Sequence, residues 1–194
     1  MTPNHHLHTP RLDLIPATLE ILKADRDKDK QTLARLLNAA VPGAWPPPLL
    51  DDEALDYFIR TVSEGTDPLF ISWYWVLDDP AEGGERTLIG SGGIASASTA
   101  GDTVLIGYSV LDEFQRRGYA TEAVHHLIPA IFALGVRRIM ATTYPELVAS
   151  IRVLEKNGFV RAGDADVEAL TGEGIEEGAV AYVLKKPKCP DLPG

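Results

Sequence analysis

The sequence is poor in cysteine and in long apolar runs. Cys189 is the only cysteine among 194 residues, so no disulfide can form within the chain. No uninterrupted apolar run reaches the length that crosses a bilayer, and the first eight residues contain no apolar signal core. These absences argue against a disulfide-stabilised secreted domain, and we expect a cytoplasmic protein that does not bind membranes.

Positive charge is also scarce. The chain has 18 Lys and Arg residues against 28 Asp and Glu residues, which gives a formal net charge of −10. Nucleic acids and anionic membranes are bound by basic surfaces, so this balance argues against a general nucleic-acid or membrane binder. It is compatible with a cationic ligand such as an amine, although many acidic proteins have such a charge simply to stay soluble.

The composition is that of one globular domain. An apolar fraction of 45% and a charged fraction of 24% are ordinary, and 194 residues can bury a sizeable core. We predict a domain over residues 9–186, a flexible N-terminus over 1–8 and a C-terminal tail over 187–194. His5, His6 and His8 lie in that N-terminus, and we predict no metal site because no second cluster of ligands is evident.

Hydrophobic periodicity alternates between strand and helix along the chain. Seven strands are predicted, at 11–15, 70–77, 87–94, 103–111, 137–143, 159–162 and 180–186. Helices are predicted from 18, over 32–40, over 51–63, over 120–134, and from Pro145 to Asn157 with Gly158 as the C-terminal cap. The fold class is therefore α/β, with one mixed, twisted sheet of six or seven strands and helices on both faces.

The segment Gln115 to Thr121, here called the phosphate loop, lies between a predicted strand and a predicted helix. Backbone N–H groups in the first turn of a helix are free, and the helix dipole favours an anion beside them. Gly118 allows close approach of the backbone, and Arg116 and Arg117 add charge-assisted hydrogen bonds. The pattern indicates a phosphate-bearing ligand.

Two motifs in order extend this interpretation. Residues 106–110 (IGYSV), 112–114 (DEF), 115–120 (QRRGYA) and 121–123 (TEA) resemble the acyl-CoA-binding motif of the GNAT superfamily of N-acetyltransferases, Q/R-x-x-G-x-G/A. Residues 150–159 (SIRVLEKNGF) resemble the helix and strand that follow it. Together with residues 9–14 (TPRLDL), the pair is most similar to the branch that contains the ribosomal-protein alanine N-acetyltransferases.

The resemblance implies a GNAT-like fold that binds acetyl-CoA where strands 103–111 and 137–143 splay apart. Backbone amides of Arg117 to Thr121 would hold the pyrophosphate. The cofactor-binding residues of the phosphate loop would be Gln115, Arg116, Arg117, Gly118, Tyr119, Ala120 and Thr121. Backbone groups of Tyr108, Ser109, Val110 and Leu111 would contact the pantetheine arm. In this superfamily a bulge frees one strand amide near the thioester carbonyl, and Val110 or Leu111 is the candidate for that oxyanion donor.

The helix after Pro145 should face the cofactor thiol, with Leu147, Ser150 and Leu154 on one face. The family often has Asn at the first of these positions and Tyr at the last, so both leucines depart from its pattern. Ser150 remains as a candidate acid for the leaving thiolate, although it can equally hydrogen-bond its own backbone. Tyr144 and Tyr108 are weaker candidates.

The acceptor and the base are less defined. Direct attack by an amine requires its neutral form, and an alkyl amine has a pKa of roughly 10, so a base or a water chain must take a proton. Glu53 and Glu113 are candidates, and each is also explained as a solvated surface carboxylate. Trp45, in a proline-rich loop, is the candidate to line the acceptor site, and the acceptor is a protein N-terminus, a polyamine, an amino acid or an aminoglycoside.

Two alternatives remain open from the sequence. The leucines at 147 and 154 allow a catalytically silent acyl-CoA-binding module that acts as a sensor or serves a partner. The enzyme could also transfer another acyl group, such as succinyl. A homodimer is compatible with the resemblance, because dimers are common in this superfamily, but no segment requires one.

Overall fold

One eight-stranded sheet organises the chain. The computed structural model describes residues 6–78, 84–98, 101–168 and 175–187. The strands are β1 Leu7–His8, β2 Leu12–Pro16, β3 Ile71–Leu77, β4 Thr87–Ser96, β5 Thr103–Val110, β6 Arg138–Thr143, β7 Val160–Arg161 and β8 Val180–Lys185. They lie in the order β1-β2-β3-β4-β5-β6-β8-β7, and β5 with β6 is the parallel pair among otherwise antiparallel neighbours. The mixed sheet is confirmed, with one strand more than predicted.

The additional strand comes from the N-terminal segment. Leu7 and His8 pair with Leu14 and Asp13, so at least these two residues of the predicted flexible segment belong to the sheet. The remaining predicted terminal residues, 1–5 and 188–194, lie outside the described residues.

Helices cover both faces of the sheet, as predicted. They are α1 Leu19–Arg26, α2 Lys30–Leu37, α3 Asp52–Glu64, α4 Tyr119–Ala133, α5 Val148–Lys156 and α6 Asp164–Glu168, with a short 3-10 helix at Asp112–Phe114. The helix predicted from Pro145 begins later, at Val148, because Pro145 and Glu146 form a turn. Helix α6 was not predicted.

Strand alternation divides the core into two layers. Trp73 and Trp75 of β3 pack in the cluster that includes α4 and α5, whereas Tyr74 and Val76 pack in the cluster that includes α1, α2 and α3. Successive strand side chains point to opposite faces, so this division follows from the sequence of β3. The sheet therefore has an α4–α5 face and an α1–α3 face.

Strands β5 and β6 pair over only three residues. Thr103, Val104 and Leu105 lie opposite Arg138, Ile139 and Met140, and the pairing ends there although β5 continues to Val110. The predicted splay between these neighbours is confirmed. Among the helices of the described ranges, none is both long and apolar enough to cross a bilayer.

Candidate functional site

The last residues of β5 present unpaired backbone N–H groups to the gap beside β6. Leu111 N donates to Ile89 O at 2.9 Å and Ala97 N donates to Thr103 O at 3.0 Å, so the odd-numbered residues of β5 point their backbone groups toward β4. The even-numbered residues point the other way. The N–H groups of Tyr108 and Val110 therefore face the gap, beyond the point where β6 has diverged.

Of the two predicted amide donors, Val110 fits this geometry and Leu111 does not. The prediction for Leu111 is wrong because its N–H is used by Ile89 and its side chain is buried. The predicted bulge is also absent from β5, whose pairing with β4 is continuous. A register shift instead lies between Trp75 and Val76, in the pairing of β3 with β4. The free amide arises from the splay of the strands.

The phosphate loop ends at a helix N-terminus that has no side-chain cap. On the opposite face of the sheet, the helices α1, α2 and α3 each have a side-chain N-cap, formed by Thr18, Asp29 and Asp51 respectively. Helix α4 begins after Gly118, which has a φ of 86° and no side chain to accept the first N–H groups. The first-turn amides, which include those of Ala120 and Thr121, are thus available to an anion.

The side chains of the phosphate loop divide into exposed and anchoring groups. Arg116 and Arg117 are exposed beside the uncapped amides, and the Arg117 guanidinium lies 5.9 Å from the Phe114 ring centroid. The Gln115 side-chain amide donates to Val110 O at 3.0 Å and to Asp112 at 2.9 Å, so it braces the loop against the end of β5. Tyr119 is buried and can offer a ligand only its backbone.

A clamp that sequence reasoning missed holds the loop in place. The Glu122 carboxylate accepts hydrogen bonds from Thr9 and from the backbone and guanidinium of Arg11. Arg11 also donates to Arg117 O at 3.2 Å and stacks 4.5 Å from the Tyr119 ring centroid. Burial opposes ionisation of Glu122, but the hydrogen bonds from Thr9 and Arg11 outweigh it and lower the pKa of its carboxyl. Residues 9–14 resemble a family motif, but their sequence does not indicate a partner more than a hundred residues away.

A cavity of about 360 Å³ adjoins the loop, between the start of α4 and the end of α5. Gly118 and Thr121 line it on one side, and Lys156 and Asn157 on the other. The two histidines His125 and His126 also line the cavity. The cavity continues from the uncapped helix end, and it has room for the part of a phosphate-bearing ligand that lies beyond the phosphate.

The three predicted positions of the α5 face are not equivalent. Leu147 is the N-cap residue and half exposed, Ser150 is half-buried in the first turn, and Leu154 is completely buried in the core. Tyr108 extends from β5 to this helix, where its hydroxyl donates to Ser150 O at 3.4 Å. Burial raises the pKa of the Tyr108 phenol to about 12.

The remaining candidate acid and bases are at the surface. The Tyr144 hydroxyl donates to Glu176, and this contact raises the pKa of the Tyr144 phenol. Glu113 lies in the short 3-10 helix and Glu53 in the first turn of α3, and both are exposed.

Trp45 is a core residue, so the prediction that it lines an acceptor site is wrong. Its side chain is 5% exposed, and its Nε1 donates to Asp25 Oδ1 at 2.7 Å. The Tyr74 hydroxyl donates to the other oxygen of the same carboxylate at 2.7 Å. Burial raises the pKa of Asp25, although both hydrogen bonds act to lower it. The proline-rich loop therefore folds its aromatic residue inward, onto a buried carboxylate.

One group of side chains has the composition of a metal site. The ligand atoms of His6, His8 and Asp13 lie within 4.8 Å of one another. Asp13 is buried and already paired with Arg86, whose Nη2 lies 2.8 Å from Oδ2. Because the Arg86 cation lies against this carboxylate, we interpret His6, His8 and Asp13 as a hydrogen-bonded group that joins β1 to β2.

A second cavity, here called the acceptor cleft, opens at the splay on the α1–α3 face. Its volume is about 310 Å³. Ser109 and Tyr108 of β5 and Thr142 of β6 lie at its inner end, and Tyr57 of α3 and Phe70 lie on its outer wall. It thus connects the free strand amides to the surface on the side opposite α4 and α5.

Several known proteins resemble this chain in sequence or in fold. An uncharacterised N-acetyltransferase of Bacillus subtilis, YoaA, is 34% identical over 79 residues, which are 40% of this chain and 45% of that protein, so the match spans less than half of that relative. Among solved structures, the ribosomal-protein-S5-alanine acetyltransferase of Vibrio fischeri is 20% identical with a TM-score of 0.59, covering 94% of this chain and 100% of that one.

Two further solved structures share the fold and contain cofactor. RimJ of Mycobacterium smegmatis, in complex with CoA-disulfide, is 19% identical with a TM-score of 0.60, covering 96% of this chain and 88% of that one. The microcin C7 self-immunity acetyltransferase MccE, in complex with acetyl-CoA and AMP, is 17% identical with a TM-score of 0.60, covering 95% and 98%. At sequence identities of 20% or less, this structural likeness shows a shared fold.

The family follows from a match along most of the chain. The family model described as an acetyltransferase (GNAT) domain matches residues 19–160, which include the capped helices α1–α3, the splayed strands, the phosphate loop and α5. The chain belongs to the GNAT acetyltransferase domain family.

Proposed function

We propose that this protein transfers an acetyl group from acetyl-CoA to a primary amine, which attacks directly within a ternary complex. The observation that carries the proposal is the gap after Leu105, where β5 and β6 stop pairing and the N–H groups of Tyr108 and Val110 face outward. An N–H held in place by a rigid strand can stabilise the negative charge that develops on an attacked carbonyl oxygen.

The phosphate loop supports acetyl-CoA as the co-substrate. The uncapped start of α4 and the exposed Arg116 and Arg117 suit a pyrophosphate, and the gap beside β5 suits an extended arm that carries amide groups. Acetyl-CoA would supply the activated acyl group as a thioester. The solved relatives that contain CoA or acetyl-CoA have the same fold.

We assign stabilisation of the leaving sulfur to Tyr108, with Ser150 as the neighbouring hydroxyl. A phenol with a pKa of about 12 stays protonated at neutral pH. Full proton transfer to a thiolate, whose acid has a pKa of roughly 8.5, would cost roughly 5 kcal/mol. Tyr108 would therefore act as a hydrogen-bond donor to the sulfur, and the proton lost by the attacking nitrogen would finally reach the thiol.

We assign the base to Glu53, acting through water. Glu53 lies four residues before Tyr57 on α3, so both are on the same side of the helix and Glu53 lies near the mouth of the acceptor cleft. Two serines of the described residues donate to carboxylates, Ser96 to Asp67 and Ser98 to Asp102. Both pairs lie beside the start of β5, at the end opposite the free amides, so direct attack without a covalent acyl-enzyme suits the gap.

Thiol release from acetyl-CoA, measured across a panel of primary amines, tests this function beside calorimetric titration of CoA. Cofactor binding with amine-dependent thiol release is the expected result. Binding without release for any amine would contradict acetyl transfer to amines, and absence of binding would contradict the assignment of the phosphate loop.

A further inference from the structure

The acceptor cleft has a wall of aromatic rings and a floor of small residues. The ring centroids of Phe58 and Phe70 are 5.0 Å apart, and Tyr57 lies 6.1 Å from Phe58 and 6.2 Å from Phe70. The floor is formed on one face of β3, β4 and β5 by Ser72, Ser91, Gly93, Gly107 and Ser109. A flat apolar group can therefore lie on the floor with its edge or face against the rings.

Within the described residues, no charged side chain lines this cleft. Two acidic residues of α3 are paired elsewhere, since Asp56 accepts from Arg26 at 2.7 Å and Asp52 lies 3.3 Å from Lys28, and Glu53 lies at the mouth of the cleft and not in its lining. A polycation that entered the cleft would lose water without gaining a counter-ion, which is unfavourable. The net charge of −10 thus gives no indication of what the cleft binds.

Apolar surface is also exposed at the cleft. Leu49 is 81% exposed and Tyr57 is 44% exposed, and both line it. A ligand with an apolar group would cover them, and removal of apolar surface from water favours binding. A cleft of about 310 Å³ is at the small end of ligand sites, so one ring-sized group and a short arm would fill it.

From these observations we infer that the acceptor is a primary amine with an aromatic or branched apolar group close to its nitrogen. The inference rests on the proposed acetyl transfer and names the substrate class of the same site. The apolar group lies against Tyr57 and Phe70, and the nitrogen points to the inner end of the cleft, where Tyr108 and Ser109 lie. Small arylalkylamines and peptides with an apolar first residue both have a primary amine close to an apolar group.

The test compares kcat/KM at saturating acetyl-CoA for 2-phenylethylamine, a Phe-Gly-Gly peptide, an Ala-Gly-Gly peptide, spermidine and kanamycin. We expect kcat/KM for each phenyl-bearing amine to be at least tenfold higher than kcat/KM for spermidine or kanamycin. Which of the two phenyl-bearing amines has the higher kcat/KM distinguishes a small-amine acceptor from a peptide acceptor. Equal or higher values for the polycations would overturn the inference while leaving acetyl transfer intact.

Two kinds of variant locate the effect in the cleft. Tyr57→Ala should raise KM for the better phenyl-bearing amine at least fivefold and leave KM for acetyl-CoA unchanged, because Tyr57 is at the surface. Gly107→Val places a branched side chain in the cleft, and a Cβ at this position meets no atom within 4 Å, so the fold should tolerate it. We expect that variant to bind CoA normally and to lose amine-dependent thiol release.

Val160→Ala is the matched control, since Val160 is an exposed apolar residue of β7 outside the cleft. Binding of 2-phenylethylamine to the protein–CoA complex, followed by calorimetry, gives a readout that does not depend on turnover. If the wild-type complex binds 2-phenylethylamine and the Gly107→Val complex does not, the assignment of the cleft is supported. A lack of thiol release with every amine would then contradict only the proposed function. Absence of binding to the wild-type complex, or equal binding by Gly107→Val, would overturn the inference.

Discussion

The hydroxyl of Tyr108 on β5 donates a hydrogen bond to the backbone carbonyl of Ser150 on α5, at 3.4 Å. This contact brings a half-buried phenol from the strand to the helix that the family resemblance associates with the thiol. Many members of the superfamily have a tyrosine on that helix where this chain has Leu154, which is completely buried here. The strand thus supplies a phenol near the helix that lacks one.

Removal of the Tyr108 hydroxyl should lower turnover. We expect Tyr108→Phe to reduce kcat by about 10- to 100-fold, with little change in CoA affinity. Losses of this size are typical when one positioned hydrogen-bond donor to the reacting group is removed. Steady-state kinetics and calorimetry measure the two quantities separately. Tyr182→Phe, which removes a hydroxyl from a tyrosine on β8, is the control, and an equal loss in both variants would contradict a specific role for Tyr108.

The Ser150 hydroxyl lies beside the Tyr108 phenol, whose pKa it acts to lower, whereas the hydrogen bond from Tyr108 is to the Ser150 backbone carbonyl, which an alanine retains. Ser150→Ala should lower kcat and leave CoA affinity nearly unchanged, as expected for a group that acts on the leaving sulfur. Turnover at the wild-type level would show that this serine has only a structural part in α5.

Gly118 is the position where a side chain should abolish cofactor binding. Gly118→Val introduces a Cβ at a φ of 86°, which costs about 1–2 kcal/mol of stability, and places a branched group beside the amides that face the anion. Gly135→Val carries the same backbone cost at a φ of 96°, in the turn after α4. We expect similar losses of unfolding free energy in urea but loss of CoA binding only for Gly118→Val.

The Glu122 clamp should make part of the stability depend on pH. The folded pKa of Glu122 is lowered from the ordinary value of 4.5, so its contribution is present above pH 4.5 and is lost as the pH falls through the folded pKa. Glu122→Gln should cost about 1–3 kcal/mol at pH 7 by weakening the hydrogen bonds with Thr9 and Arg11. Urea unfolding at pH 7 and at successively lower pH should show this difference shrinking, and a constant difference would contradict the assignment.

Burial of Trp45 predicts a stability effect without a change in acceptor binding. Trp45→Phe removes the donor to Asp25 and leaves one oxygen of a buried carboxylate less satisfied, which should lower the unfolding free energy by about 1–3 kcal/mol. KM for the amine should be unchanged. A KM increase with unaltered stability would restore the earlier assignment of Trp45 to the acceptor site.

Local sequence determined most of the elements and the phosphate loop. The alternation of Trp73, Tyr74 and Trp75 fixes which side chain enters which core layer, because successive strand residues face opposite ways. Gly118 and the arginines before it mark the start of α4 through backbone conformation and charge, which act over a few residues. The order of these elements was sufficient to indicate the family.

The tertiary structure decided where distant groups meet. Nothing local indicates that Glu122 binds Thr9 and Arg11, or that Trp45 folds inward onto Asp25, because each contact depends on how separate elements pack. The choice between the Val110 and Leu111 amides required the register of β5 with β4, which sets the side to which each N–H points. The acceptor cleft likewise exists only where α3, β4 and β5 come together, so its apolar lining could not be inferred from the overall charge.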